Sequence, residues 1–317
     1  MRPANSGIER VAVIGAGTIG ASWAAYFLAH GLSVTASDPA PNGEDFVRRT
    51  VAAAWPDLTR LGLAKGASPD RLSFVRDPVA AVSGADFVQE SGPEREDAKI
   101  ALLAQLDGVL GPEVVIASSS SGLLISRLQS GCRHPGRCVI GHPFNPPHLI
   151  PLVEVVGGTR TDPDAIERAM AFYAAIGKKP IHIRKEVAGH LANRLQAALW
   201  REAVHIVAEG IAEVADVDAA IAYGPGLRWA IMGPHLTFHL AGGVGGMANF
   251  MDHLAGPVQG WWPDLGDPEL TPELQRRIID GVAREAEGRS TAELARERDR
   301  ILLKVLEAVG DKDMGKG

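Results

Sequence analysis

The segment Gly15-Ala16-Gly17-Thr18-Ile19-Gly20 constrains this chain more than any other, because it sets three glycines in a G-x-G-x-x-G spacing between a strand and a helix. Val11-Ala12-Val13-Ile14 reads as a buried strand running into the loop, and Ile19 to His30 as the helix leaving it. Gly15 permits the tight turn, Gly17 lets a pyrophosphate approach the backbone, and Gly20 allows helix and strand to pack closely. The helix N-terminus at Thr18 and Ile19 offers unpaired N–H groups and the positive end of the helix dipole to phosphate. Alone, such a loop could be an ordinary glycine turn. Asp38 argues otherwise: it closes the second strand, Ser33 to Ser37, 18 residues after Gly20, where a carboxylate can grip the adenosine ribose. An acid there repels a 2′-phosphate, and neither Ser37 nor Pro39 supplies an arginine, so the expected cofactor is NAD.

The rest of the first half keeps the same rhythm. Phe87-Val88-Gln89 and Val114-Val115-Ile116 read as further strands, and Glu94 to Leu106 as a helix with Ile100, Leu103 and Leu106 at helical spacing. Alternation of this kind predicts a parallel sheet with helices on both faces. After Val187 the pattern changes: Leu191, Leu195, Leu199, Val204 and Val207 suit a long helix, and little strand signal follows. The Gly-rich stretch Ala241 to Gly246 reads as a loop between helices. The expected fold is α/β: a Rossmann-type doubly wound domain over residues 1–187, then a smaller all-helical domain over 188–317.

Bulk properties narrow the class without naming the chemistry. The 317 residues are 46% hydrophobic, enough for one or two ordinary cores. No window approaches the ~20 unbroken apolar residues of a membrane helix, and the N-terminal stretch lacks the layout of a secretion signal. A net charge of −6 with no Lys/Arg block argues against a nucleic-acid partner. Cys132 and Cys138 flank a basic turn and read as ordinary reduced thiols. A cytoplasmic globular protein is expected, with no membrane and no metal.

Four further motifs carry chemistry: Ser118-Ser119-Ser120-Ser121-Gly122, Gly141-His142-Pro143-Phe144-Asn145-Pro146, Pro151-Leu152-Val153-Glu154-Val155-Val156 and Gly189-His190-Leu191-Ala192-Asn193-Arg194. In this order and spacing they resemble the signature of the L-3-hydroxyacyl-CoA dehydrogenase family over nearly the whole chain. The resemblance implies that His142 takes the proton of a substrate 3-hydroxyl and that Glu154 orients the imidazole and stabilises its charged form. It implies that Ser121 and Asn193 hydrogen-bond the reacting oxygen, and that Glu94 and Lys99 line the cofactor site. It also implies a homodimer formed through the helical domain. The chemistry asks for the same residue types independently. Hydride loss from a secondary alcohol needs the hydroxyl proton to leave too, and a neutral imidazole suits that task near pH 7. An adjacent carboxylate fixes its tautomer. Taken singly, His142 could be a core histidine, Glu154 a strand-end carboxylate and Ser121 a turn cap.

The substrate is read from departures. Acyl-CoA members of the family usually carry a lysine-rich helix after the second strand, whereas Pro41 to Lys65 here holds only Arg48, Arg49, Arg60 and Lys65 as basic residues. Gly226-Leu227-Arg228-Trp229-Ala230 resembles an arginine-plus-aromatic insertion in the branch holding L-gulonate 3-dehydrogenase, lambda-crystallin and carnitine 3-dehydrogenase. Arg228 then reads either as the partner of a substrate carboxylate, held bidentately, or as half of a surface salt bridge. Ala54-Trp55-Pro56, Gln89-Glu90-Ser91 and Leu199-Trp200-Arg201-Glu202-Ala203 are most similar to the carnitine-oxidising members. A trimethylammonium group calls for aromatic faces, and Trp229 and Phe238 are candidates, though such residues are more often core. Ala188-Gly189-His190 stands where the family usually has Pro-Gly and a large apolar residue, a change in the hinge or the pocket wall. The expected activity is NAD-dependent oxidation of L-carnitine to 3-dehydrocarnitine. The alternatives are L-gulonate or a short 3-hydroxyacyl-CoA as substrate, or a non-catalytic structural protein of the lambda-crystallin kind.

Overall fold

The computed structural model describes residues 7–310. Its first part runs β1 (Arg10–Ile14), α1 (Thr18–Ala29), β2 (Ser33–Ser37), α2 (Gly43–Leu61), β3 (Leu72–Phe74), α3 (Pro78–Ala81), β4 (Phe87–Glu90), α4 (Glu96–Asp107), β5 (Val115–Ser118), α5 (Ile125–Leu128), β6 (Cys138–Pro143), β7 (Leu152–Gly157), α6 (Pro163–Ala175) and β8 (Lys179–Ile183). All eight strands form one sheet in the order β3-β2-β1-β4-β5-β6-β7-β8. The order reverses direction between β1 and β4, and ligands of doubly wound sheets bind at such a switch point. The glycine loop leaves the carboxyl end of β1 at that place.

One pairing departs from the wholly parallel sheet that the alternation predicts. β6 and β7 run antiparallel, while every other neighbouring pair is parallel. Only residues 144–151 join them, too few for the crossover a parallel pair requires. The register then sets His142 directly opposite Glu154. Helix α4 also begins later than the periodicity predicts. Arg95 is extended (φ −125°, ψ 121°), so Glu94 lies in the loop before the helix, not on it.

The core follows from the two-residue period of the strands. Val11 and Val13 point to one face of the sheet, where they pack with Trp23 and Phe27 of α1, Val47 and Val51 of α2, and Phe172 and Tyr173 of α6. Ala12 and Ile14 point to the other face, against Leu103 and Leu106 of α4 and Ile125 and Leu128 of α5. Burying a side chain the size of Phe27 stabilises the fold by roughly 2–3 kcal/mol. The loop after β6 is tied down from the side: the buried Lys178 amine donates to the carbonyls of Pro147 and Ile150, and Ser22 bonds the backbone and ring of His148.

The first compact unit extends to Arg194, and a second begins at Leu195. The first thus keeps seven residues beyond Val187, because residues 190–193 hydrogen-bond to its sheet and loops. The described residues of the second unit carry helices only: α7 (Ala192–Ala208), whose first turn belongs to the first unit, α8 (Val214–Tyr223), α9 (Pro225–Trp229), α10 (Pro234–Ala241), α11 (Gly246–His253), α12 (Ala255–Trp261), α13 (Pro272–Ala286) and α14 (Thr291–Gly310). Its principal buried cluster is small, comprising Val204, Val207, Val214 and Leu274. Many of its large apolar side chains, Trp261 and Trp262 among them, stand in solvent. Among the described residues no helix is long and apolar enough to cross a membrane.

Candidate active site

The glycine loop forms a cradle whose three glycines have different surroundings. A Cβ on Gly15 would lie 2.6 Å from the Ser91 carbonyl, and one on Gly20 would lie 1.8 Å from the Gly15 oxygen. A Cβ on Gly17 would meet no protein atom within 4 Å. Gly15 and Gly20 therefore serve the protein, while Gly17 borders open space of the kind a dinucleotide backbone enters. No side chain caps the N-terminus of α1, so the first-turn N–H groups at Thr18, Ile19 and Gly20 are left for an anion. Asp38 follows β2, and its carboxylate accepts the N–H groups of Ala16 and Ala40 at 2.9 Å each, which fixes it against the loop. These residues fit a dinucleotide. Gly17→Val should fold normally, since Gly17 has an ordinary φ of −69°, yet weaken NAD binding by at least about tenfold, ~1.4 kcal/mol. Gly20→Val should instead lower the melting temperature. A titration of NADH fluorescence beside a thermal melt separates the two effects, and normal NAD binding by Gly17→Val would contradict this account of the cradle.

At the same edge of the sheet, near the carboxyl end of β6, lies the candidate base. His142 Nδ1 and Glu154 Oε2 are 2.8 Å apart, with His142 5% exposed and Glu154 fully buried. A carboxylate can only accept, so Nδ1 carries the proton and Nε2 presents its lone pair. The other carboxylate oxygen accepts the N–H groups of Leu191 and Ala192 at 2.9 and 2.8 Å. Burial by itself would raise the pKa of Glu154, but the bonds from His142, Ala192 and Leu191 outweigh it and hold the group below its ordinary value. Phe144 packs edge-on against the His142 ring, with 5.2 Å between centroids. Glu154 is therefore no strand-end surface carboxylate: it sits within β7, fully enclosed.

The serine loop after β5 is organised by acids. Glu94 Oε1 accepts Ser120 Oγ at 2.7 Å and the backbone N–H groups of Ser121 and Gly122 at 2.8 and 3.1 Å. Ser121 Oγ makes no hydrogen bond among the described residues and is exposed. Asn193 donates its side-chain amide to the Ser121 carbonyl at 3.1 Å. Lys99 is 2% exposed. Its ammonium reaches both oxygens of the buried Glu90 at 2.8 and 2.9 Å, the Gly92 carbonyl at 3.1 Å, and Glu94 at 3.8 Å. Lys99 thus neutralises the acids behind the loop, and its donors are engaged within the protein.

The sequence marks His190 only as a departure in the hinge or pocket wall, and the structure gives it specific partners. It is 2% exposed, with its ring centroid 5.2 Å from that of His142. Its Nε2 lies 2.8 Å from the Ser120 carbonyl, which can only accept, so this nitrogen is the donor. Burial pushes the His190 pKa below the usual histidine value; the Ser120 carbonyl opposes this and the neighbouring His142 adds to it. Its φ of +52° is left-handed, which costs a non-glycine residue roughly 1–2 kcal/mol. The one signal for it in the sequence is the histidine after Gly189, where the family usually has an apolar residue.

In the second unit, Arg228 and Trp229 end α9, both exposed. Arg228 forms no salt bridge among the described residues, contrary to the surface-pair alternative. Phe238 of α10 is 40% exposed and stacks on Phe250 with centroids 4.7 Å apart.

The first unit thus holds a loop that fits a dinucleotide and, at the same edge of the sheet, a buried imidazole hydrogen-bonded to a carboxylate. Comparison with known proteins places the chain in a family. Residues 10–187 match the model of the 3-hydroxyacyl-CoA dehydrogenase NAD binding domain, and residues 189–271 that of the family's C-terminal domain. The chain is 55% identical to an L-carnitine dehydrogenase of Streptomyces coelicolor over 303 residues, covering 96% of this chain and 95% of that one. It is 50% identical to an L-carnitine dehydrogenase of Pseudomonas putida over 302 residues, 95% and 94% of the two chains. Among solved structures, 5-formyl-3-hydroxy-2-methylpyridine 4-carboxylic acid 5-dehydrogenase superposes with a TM-score of 0.84 at 30% identity, over 96% of this chain and all of that one. This chain is a member of the 3-hydroxyacyl-CoA dehydrogenase family, with an NAD-binding domain in its first half.

Proposed function

We propose that this protein is an NAD-dependent L-carnitine dehydrogenase, forming 3-dehydrocarnitine. The observation that carries the reading is the buried His142–Glu154 pair, whose Nε2 has no hydrogen-bond partner among the described residues, at the same sheet edge as the dinucleotide cradle, in a chain half or more identical to L-carnitine dehydrogenases over nearly its full length. His142 Nε2 takes the 3-hydroxyl proton as the C3 hydrogen leaves with its electron pair. Bound NAD supplies the hydride acceptor. Glu154 offsets the imidazolium charge, and Ser121 and Asn193 orient the hydroxyl. The test is NADH formation with L-carnitine, D-carnitine, L-gulonate and a short 3-hydroxyacyl-CoA. Turnover of L-carnitine alone is expected, and preference for the acyl-CoA would refute the substrate assignment.

Substrate-binding roles are proposed for Arg228, toward the carboxylate, and for Trp229 and Phe238, toward the trimethylammonium group. The exposed guanidinium, which forms no ion pair among the described residues, and the exposed rings support them. Arg228→Met should raise the KM for L-carnitine by at least about tenfold with kcat and the KM for NAD little changed. An unaltered KM removes Arg228 from the site. A homodimer is proposed through the second unit, whose exposed Trp261, Trp262, Leu195 and Ile279 exceed what its small core can bury; sedimentation as a monomer would contradict it. The free thiols of Cys132 and Cys138, 3.8 Å apart, fit a reducing, cytosolic setting.

A further inference from the structure

Four consecutive residues after Gly189 each donate one hydrogen bond to the catalytic half of the first unit. His190 Nε2 donates to the Ser120 carbonyl, the N–H groups of Leu191 and Ala192 to Glu154 Oε1, and Asn193 Nδ2 to the Ser121 carbonyl. The two outer members hold the serine loop, and the two inner ones hold the carboxylate that orients the base. Residues 190–193 therefore form a clasp between two parts of the site that belong to different strands, β5 and β7. We propose that His190 is the positioning residue of this clasp, setting Ser121 relative to His142 so that both meet the same substrate hydroxyl.

Two independent features point to His190. Its ring lies against that of His142, so any shift of the clasp is felt at the base. Its backbone is held left-handed although it is not glycine, and such strain persists only where the surroundings over-determine it. A buried side chain that merely filled space would need neither the donor nor the strained backbone. Glu94 fixes the same loop from the other side, through Ser120 Oγ and the N–H groups of Ser121 and Gly122. Without the His190 donor, the loop would remain attached at Glu94 and Asn193 but could move relative to His142. Misplacement by about 1 Å can cost about a hundredfold in rate.

The inference rests on the dehydrogenase reading, and the test is arranged so that the two can fail separately. His190→Leu removes the donor at similar volume, while His190→Gln returns an amide nitrogen near the position of Nε2. Both are made in the full-length chain. With L-carnitine, His190→Leu should lose about 10- to 100-fold in kcat with the KM for NAD unchanged. Its primary deuterium isotope effect on C3-deuterated carnitine should rise, because hydride transfer becomes the slow step. Hydrogen exchange at the Ser121 and Gly122 amides should quicken by about tenfold, and His190→Gln should restore rate and exchange to within about threefold. Should His190→Leu fail to fold, His190→Gly accepts the left-handed backbone and serves in its place. Wild-type rate and exchange in the Leu variant overturn the proposal. So does a loss that Gln fails to rescue, or a lower kcat with isotope effect and exchange unmoved. If the wild-type protein does not oxidise L-carnitine, the substrate reading fails, yet the exchange contrast between Leu and Gln still decides the clasp.

Discussion

Replacing His142 by alanine is expected to lower kcat by about a thousandfold while leaving NADH binding unchanged. The size follows from the role: a positioned general base contributes roughly 10²–10⁴-fold, and His142 has its Nδ1 held by the Glu154 carboxylate. His190, with its ring centroid 5.2 Å away, uses its Nε2 on the Ser120 carbonyl. The proposed cofactor cradle lies at Gly15–Gly20 and Asp38, in the segments that follow β1 and β2, and not on β6, so NADH fluorescence on titration should match the wild type. The measurement is steady-state NADH formation with L-carnitine, beside that titration. An alanine variant keeping a tenth or more of wild-type turnover would place the base elsewhere.

Glu154→Gln is expected to cost nearly as much in rate with little loss of stability. A glutamine can keep its carbonyl toward the N–H groups of Leu191 and Ala192, but its NH₂ then faces His142 Nδ1. That nitrogen must become the acceptor, the proton moves to Nε2, and the lone pair that removes the substrate proton is gone. Loss of about 10²–10⁴-fold in kcat follows from the wrong tautomer alone. Glu154→Ala behaves differently because it strands three donors in the interior: Nδ1–H of His142 and the two N–H groups. Opening a buried pair in this way costs about 3 kcal/mol or more, enough to lower the thermal midpoint by about 5–10 °C. A kinetic comparison beside thermal melts separates the two variants. Near-normal kcat in Glu154→Gln would remove the tautomer argument.

The same carboxylate gives a pH dependence whose sign is fixed. The folded-state pKa of Glu154 lies below its ordinary value, so its contribution to stability is fully present above the unfolded pKa. It is lost as pH falls through the folded value. Wild type should therefore lose melting temperature faster than Glu154→Gln as pH drops below the ordinary carboxylate range.

How far the sequence reached depends on the range of each interaction. The glycine loop, the first two strands and the helix between them were legible because their signals are local: a spacing, a period, a turn residue. The proposed site residues His142, Glu154, Ser121 and Asn193 were legible through motifs and spacings that resemble the family's, but not as contacts. The sequence could not show that β7 turns antiparallel, and only that reversal sets Glu154 opposite His142. Nor could it show that Lys99 spends its charge on Glu90, since the pairing depends on how α4 lies against β4. The placement of Glu94 on a helix failed because apolar spacing cannot tell where a helix begins when the residue before it is extended. His190 was visible only as an odd residue. Its partners lie 48 and 70 positions earlier in the chain, at His142 and Ser120, and only the folded sheet brings those positions together. Sequence determined which groups are available and the local geometry of the phosphate loop. Tertiary structure decided which groups meet, because hydrogen bonds between distant strands depend on register and packing that no local pattern contains.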